Sequence, residues 1–145
     1  MYKHILIPTD GSELSARAIR EGIDFAKVTN ARVTLLTVSS PFHVFASEPM
    51  MVTDTLDTYE AHAKANARTR LKVGEDVAKA RGVPAKAEHV FAEHPFVAIV
   101  DTADKDGCDL IFMASHGRKG VAGVLIGSET QRVLTHTKIP VVVCH

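Results

Sequence analysis

The segment 109-DLIFMASHGRKGVAGVLIGSETQRVL-134 contains a short apolar run, then a loop with glycine at two corners, then a stretch with helical character. The run at 109–113 has the composition of a buried strand. The loop has glycine at Gly117 and again at Gly127, where Ser128 follows. A strand, a loop and a helix in this order form the repeating unit of α/β proteins. The rest of the chain repeats this unit, so the segment indicates the fold class.

Four further runs have the length and composition of buried strands. They lie at residues 4–8, 33–38, 86–91 and 140–144. Strands this uniformly apolar are covered on both faces, which requires parallel pairing with helical crossovers. Right-handed crossovers then predict a doubly wound, Rossmann-like α/β fold with a sheet of five parallel strands and four helices.

Helical patterns fill the segments between these runs. The first helix follows Ser12, a candidate N-cap, ends near Asn30, and has apolar residues at steps of three and four: Ala16, Ile19, Ile23 and Ala26. The second spans about 54–81 and stops at Gly82. The third opens at Pro95, and its predicted buried stripe contains Phe96, Ile99, Val100 and Ala103.

Composition limits the class of protein. The 145 residues include 46% hydrophobic and 23% charged residues, which is ordinary for one globular domain, here 1–145. Seventeen basic residues balance seventeen acidic ones, so the net charge does not point to nucleic acid or an anionic membrane. The N-terminus lacks the apolar core of a signal peptide, and two widely spaced cysteines favour reduced thiols. We therefore expect a cytoplasmic protein.

The loop after the 109–113 strand has the chemistry of a phosphate site. In open α/β sheets, ligands bind beyond the carboxyl ends of the strands, where segments 8–12 and 37–40 also emerge. Glycine lets backbone N–H groups approach a phosphate closely, and Gly117 and Gly127 meet that need. Ser128 adds a hydroxyl and an N–H group at the positive end of the last helix.

Each of these residues also has a purely structural explanation. Ser128 and Gln131 fit an S-x-x-Q capping box, which would place serine there without a ligand. Gly117 fits a simple turn after a strand, and exposed charges such as Arg118 and Lys119 are usually just solvated. The ordinary P-loop motif and the G-x-G-x-x-G fingerprint are both absent from the sequence.

Four segments together resemble the universal stress protein family over nearly the whole chain: 5-ILIPTDGSELSARAI-19, 108-CDLIFMASHGR-118, 126-IGSETQRVL-134 and 139-IPVVVC-144. The resemblance implies the strand order 3-2-1-4-5, with strands 1 and 4 on either side of the switch point. It also implies homodimerisation through the last strand, which contains Pro140, Val141, Val142, Val143 and Cys144.

The ATP-binding branch of this family carries G-x-x-G, nine residues, then G-[ST]. Here Gly117, Gly127 and Ser128 match the motif, and Ala114 replaces its first glycine. The resemblance therefore implies ATP with Mg²⁺ at a site formed by Pro8, Thr9, Asp10, Val38, Met113, Ala114, His116, Gly117, Gly127, Ser128 and Glu129. In related members Asp10 lies near the ribose and the metal, the backbone around Val38 meets the adenine, and the loop residues surround the phosphates.

Ala114 tests the strength of this resemblance. A non-glycine residue forced into a left-handed conformation costs roughly 1–2 kcal/mol, about a tenfold loss of affinity or somewhat more. Because the apolar run leads directly into Ala114, we predict extended backbone there and almost no cost. The substitution then weakens the motif without removing the site.

Asp10 and His116 have alternative roles. An aspartate in the D-G-S turn commonly bonds to backbone two residues on, but a carboxylate beside the crevice is also well placed for Mg²⁺. His116 has no evident nucleophile or orienting partner, so we predict a structural or ligand-packing role and no catalytic residue. The spacing of the other histidines does not fit a metal site.

Three functions are compatible with these patterns. The leading hypothesis is a stress-response protein that binds ATP and regulates an unknown protein partner through its dimer. The second is a dimeric interaction module whose nucleotide site has decayed. The replacement of the motif's first glycine by Ala114 is the feature that supports this alternative. The third is a slow ATPase that uses Asp10 or His116. The apolar loop 41–53 is assigned no role.

Overall fold

The computed structural model describes residues 1–42, 55–117 and 125–145. Strands and helices alternate along them: β1 (His4–Pro8), α1 (Glu13–Thr29), β2 (Arg32–Ser39), α2 (Leu56–Arg81), β3 (Ala85–Phe91), α3 (Pro95–Asp106), β4 (Leu110–Ala114), α4 (Ser128–His136) and β5 (Val141–Cys144). The five strands pair in parallel in the order β3-β2-β1-β4-β5. The predicted fold class and strand order are therefore confirmed.

The sheet is covered on both faces, as its apolar strands require. On one face α1 and α2 pack over Ile5, Leu35 and Phe112, and we call this layer the α1/α2 core. On the other face α3 and α4 pack over alternate strand residues that include Leu6 and Ile111, and we call this layer the α3/α4 core. Residues of one strand thus alternate between the two cores.

The helix ends follow the predicted signals. Ser12 caps α1, with its hydroxyl accepting from Ser15 N–H, and Asn30 closes the helix with φ 60°. Gly82 closes α2 with φ 69°, as expected. Thr55 caps α2, whereas the predicted start near Asp54 lies outside the described residues. Ser39 belongs to β2, and most of the loop predicted for 39–53 also lies outside them.

The buried stripe of α3 differs from the prediction. Its buried residues are Ala98, Ile99, Thr102 and Ala103. Ile99 and Ala103 were predicted, but Phe96 and Val100 are only half-buried. The apolar pattern alone did not include Thr102, and the rotation of the helix follows from its contact with α4 and β2.

Neither cysteine forms a disulfide. Cys108 and Cys144 are both buried free thiols, and burial raises the pKa of each to about 11. The Cys144 thiol donates to Glu21 Oε2 at 3.0 Å, which ties β5 to α1. Among the described helices, none has both the length and the apolar character that crossing a bilayer demands.

Strands β1 and β4 are the neighbours that position the site. Residues Ile5 and Leu6 pair with Leu110 and Ile111. The chain leaves β1 for α1 in one core and leaves β4 for α4 in the other. The sheet therefore has its switch point between β1 and β4, where open α/β sheets bind ligands beyond the carboxyl ends of the strands.

Candidate functional site

The turn after β1 is fixed by its own polar groups. Thr9 N–H donates to Leu36 O at 2.8 Å, and Thr37 Oγ1 donates to Thr9 O at 2.8 Å. Gly11 adopts φ 80°, a conformation that favours glycine. Asp10 Oδ1 accepts from Ser12 N–H at 2.9 Å, so the predicted aspartate turn is present. Asp10 is thereby held at the mouth of the crevice.

The loop after β4 is closed at its base. Ser115 N–H donates to Cys144 O at 2.7 Å, and Gly127 N–H donates to Ser115 O at 2.6 Å. Thr130 Oγ1 donates to Ala114 O at 3.0 Å and joins α4 to the end of β4. The two ends of the loop therefore lie together, although 118–124, with Arg118 and Lys119, is outside the described residues.

Gly117 and Asp10 come from different loops and lie against each other. A Cβ atom at position 117 would overlap Asp10 Oδ2. Gly117 does not have a positive φ, so its lack of a side chain matters for close approach rather than for backbone conformation. The structure thus brings two of the sequence-predicted site residues together at the switch point.

Ala114 is the last residue of β4. It pairs with Cys144 of β5, its side chain is buried, and its backbone is not left-handed. The prediction of extended backbone at this position is confirmed. A methyl group replaces hydrogen here without backbone strain.

Ser128 and Gln131 do not form the suggested capping box. Gly127 is the N-cap of α4, and Ser128 is the first residue of the helix and is exposed. The Gln131 side chain donates instead to Ile126 O at 3.1 Å. A Cβ on Gly127 would lie 3.1 Å from His116 Cβ, so this glycine permits the tight closure of the loop. The capping explanation for Ser128 is therefore wrong.

The Glu129 carboxylate points to another helix. Its Oε2 accepts from Phe96 N–H at 2.9 Å, in the first turn of α3, and its Oε1 pairs with Arg132 at 2.9 Å. Arg132 also lies over the Phe96 ring, 5.7 Å from its centre. Sequence reasoning missed this contact, because no local pattern links residues 33 positions apart.

Val38 and Met113 lie in the α3/α4 core. Val38 is half-buried at the end of β2 opposite Val90, and Met113 is 5% exposed near the end of β4. Pro8 ends β1 between these strands and is half-buried. Together these residues form an apolar wall on the side of the crevice away from α1.

His116 contacts its neighbour rather than a catalytic group. Its Nδ1 lies 3.1 Å from Ser115 Oγ, and Ser115 is completely buried. A hydroxyl in that position is inaccessible to a substrate, and the structural or ligand-packing role of His116 stays a prediction. Within residues 1–42, 55–117 and 125–145, no group of three His, Cys, Asp or Glu side chains is placed to hold a metal ion.

The five-stranded parallel sheet, covered by helices on both faces, places the chain among the Rossmann-like α/β proteins. Sequence comparison then identifies the family. The profile of the universal stress protein family matches residues 1–145. The chain belongs to the universal stress protein family.

Individual relatives cover nearly the whole chain. Universal stress protein MJ0531 of Methanocaldococcus jannaschii is 33% identical over 145 residues, which are 99% of this chain and 82% of the relative. The solved structure of hypothetical protein MJ0577 has a TM-score of 0.83 at 28% identity, covering 99% of this chain and 96% of that one. A universal stress protein in complex with cAMP has a TM-score of 0.71 at 26% identity, covering 99% and 97% of the two chains.

Proposed function

We propose that this protein binds ATP with Mg²⁺ in the crevice between β1 and β4. The approach of Asp10 to Gly117 is the observation that carries the proposal. It places a carboxylate and a side-chain-free backbone segment at one point of the carboxyl edge, where α/β sheets bind ligands. The relative solved with cAMP supports an adenine nucleotide as the ligand class.

The phosphates contact the loop around Gly117 and the first turn of α4. The first N–H groups of an α-helix have no acceptor within the helix and attract anions. Ser128 contributes its N–H and its exposed hydroxyl. Glu129 contributes its backbone N–H, because its carboxylate is bonded to Phe96 and Arg132. Gly127 shapes the loop, since its own N–H is bonded to Ser115 O.

The nucleoside lies toward the apolar wall. Half-buried Val38 faces the adenine with buried Met113 behind it, and Pro8 and Thr9 border the ribose. Asp10 interacts with the ribose and with Mg²⁺ that arrives with the phosphates, since hard oxygen ligands suit this ion. Ala114 and His116 form the base of the loop.

A binding titration with labelled ATP tests the proposal. The wild-type protein binds saturably, and Asp10→Asn weakens binding in Mg²⁺ by about tenfold, equivalent to losing ~1.4 kcal/mol. Asparagine can still accept from Ser12 N–H, so the turn is preserved. Asp101→Asn, at an exposed position on α3, is the matched control. Absence of saturable binding of any adenine nucleotide would support an interaction module with a decayed site.

We further propose a cytoplasmic homodimer with a regulatory role, paired through β5. This strand lies at one end of the sheet, so its outer edge offers unpaired backbone groups to a second copy. Val142 is 37% exposed on it. Sedimentation velocity should show a dimer for the wild type and a monomer for Val142→Lys. A wild-type monomer at micromolar concentration would contradict this assembly.

A further inference from the structure

A cavity lies beside the turn after β1, between α1 and α2. Its volume is about 170 Å³. The turn contributes Thr9 and Ser12, α1 contributes Ala16 and Ile19, and α2 contributes Arg70 and Val73. It belongs to the α1/α2 side of the sheet, opposite the wall formed by Val38 and Met113.

The interior of this cavity is mainly apolar. Ile19 is 1% exposed and forms its floor, with Ala16 and Val73 beside it. Apolar cavities of about 150 Å³ accept a benzene ring. The volume therefore suits a single six-membered ring or a branched aliphatic group of similar size.

Most polar groups around the cavity already have partners. Thr9 Oγ1 lies 3.0 Å from Ser15 Oγ, and Ser12 Oγ accepts from Ser15 N–H at 3.2 Å. Thr69 Oγ1, also at the cavity, donates to Ala65 O at 3.2 Å. These groups are satisfied within the protein, so the charged group at the rim, Arg70, decides which ligand is recognised.

Arg70 is the cation of α2 that lines the cavity. Arg68, Lys72 and Arg81 each form an ion pair, with Glu75, Asp76 and Asp24 respectively. Across the described parts of the chain, neither Arg70 nor Lys64 has a carboxylate within 4.0 Å. The same holds for Lys79, so three cations of this helix have no ion pair among the described residues, and of these only Arg70 lines the cavity.

The cations of α2 affect the pKa of His89. It lies on β3 with Nε2 2.8 Å from Ser39 Oγ. Burial lowers its pKa, and the positive charges of Lys64 and Arg70 lower it further. Lys64 and Arg70 thus both act on the carboxyl end of β3.

We propose that this cavity binds a small organic carboxylate, with its apolar ring or chain against Ile19 and Val73 and its carboxylate paired with Arg70. Arginine matches a carboxylate through two parallel N–H donors. The cavity shares Thr9 with the proposed nucleotide crevice, but Arg70 and Val73 lie on α2, outside that crevice.

A titration of the nucleotide-free protein with benzoate tests the proposal. Binding is monitored through the methyl NMR signals of Ile19 and Val73. We expect saturable shifts of these two residues, and weaker binding of benzamide, which has the same shape without the charge. Arg70→Gln should weaken benzoate binding by about tenfold or more, as expected for loss of a charge-assisted hydrogen bond. Arg68→Gln, on the same helix but paired with Glu75, is the matched control.

Val73→Phe provides a second variant, because a larger side chain fills the cavity while the exposed position tolerates it. It should abolish benzoate binding without changing the fold, which the NMR spectrum reports. Absence of saturable binding at millimolar benzoate would overturn the proposal. Equal affinity of the wild type and Arg70→Gln would overturn it as well.

Discussion

Gly117 is the residue at which any side chain conflicts most directly with the site. A Cβ atom there would overlap Asp10 Oδ2, and Asp10 is held through Oδ1 by Ser12 N–H. Gly117→Ala must therefore move either the carboxylate or the loop. We predict a loss of ATP affinity of about tenfold or more, measured by titration.

Gly107→Ala is the control for this substitution. Gly107 follows α3 at the opposite edge of the sheet and has φ 70° with open space around its Cα. Alanine there costs about 1 kcal/mol in backbone strain but leaves the crevice unchanged. Equal ATP affinity of Gly117→Ala and Gly107→Ala would contradict the assigned role of Gly117.

Ala114→Gly is the reverse substitution, from alanine to glycine. Restoring the motif by Ala114→Gly should not raise ATP affinity by more than about twofold, since the backbone is already extended and unstrained at this position. The substitution should lower the free energy of unfolding by about 0.5–1 kcal/mol, because glycine weakens a strand interior. Paired titration and urea unfolding measure both effects. A tenfold gain in affinity would show that the methyl group obstructs the ligand.

At the scale of elements, Glu129 connects α4 to α3. Its carboxylate satisfies the Phe96 N–H group and accepts from Arg132. We predict that Glu129→Ala lowers the free energy of unfolding by about 1 kcal/mol, as for loss of a helix cap. Urea unfolding should show a much smaller effect for the control Glu75→Ala, whose exposed pair with Arg68 contributes about 0.5 kcal/mol or less. Equal losses would contradict the capping role.

Local sequence signals predicted the ends of the helices more accurately than the contacts between helices. Ser12, Asn30 and Gly82 act on neighbouring backbone, and the structure confirms all three. Ser128 was ambiguous, because a serine before a helix fits either the N-cap or the first turn, and one residue decides between them. The Glu129–Phe96 contact depends on how two helices lie together, which periodicity does not specify.

The candidate site was predictable to the extent that topology determines it. Parallel strands place Asp10 and Gly117 at one edge of the sheet, and the apolar pattern was enough to establish that edge. Their actual contact was not predictable, since it depends on the path of two loops. The cavity beside Arg70 gave no sequence signal, because its residues are scattered over the turn after β1, α1 and α2.

At the scale of the whole molecule, His4 links stability to pH. It is buried, its Nε2 lies 2.7 Å from Thr34 Oγ1, and its Nδ1 has no hydrogen-bond partner among the described residues. Burial lowers its pKa below the usual 6.5, and Arg32 and Lys86 add to the effect, against the opposing influence of Asp106. The unfolded chain therefore binds more protons than the folded protein below pH 6.5.

The stability from this buried neutral imidazole is thus fully present above pH 6.5 and decreases as pH falls below it. We predict that His4→Gln reduces the pH slope of the unfolding free energy in that range. His62→Gln, at an exposed position on α2, should retain the wild-type slope. The variants are compared by the pH slope of the unfolding free energy and not by its value at one pH, because His4→Gln also changes the stability at every pH. An unchanged slope in His4→Gln would contradict the role of His4.

Thermal unfolding with and without excess Mg·ATP tests the proposed function most directly. A ligand at about 100 times its Kd stabilises the native state by ~2.7 kcal/mol per site. For a domain of this size we predict a rise in Tm of roughly 5–10 °C with ATP, and none with GTP. An unchanged Tm at millimolar Mg·ATP would contradict the account, and Gly117 and Gly127 would then serve only the path of the loop.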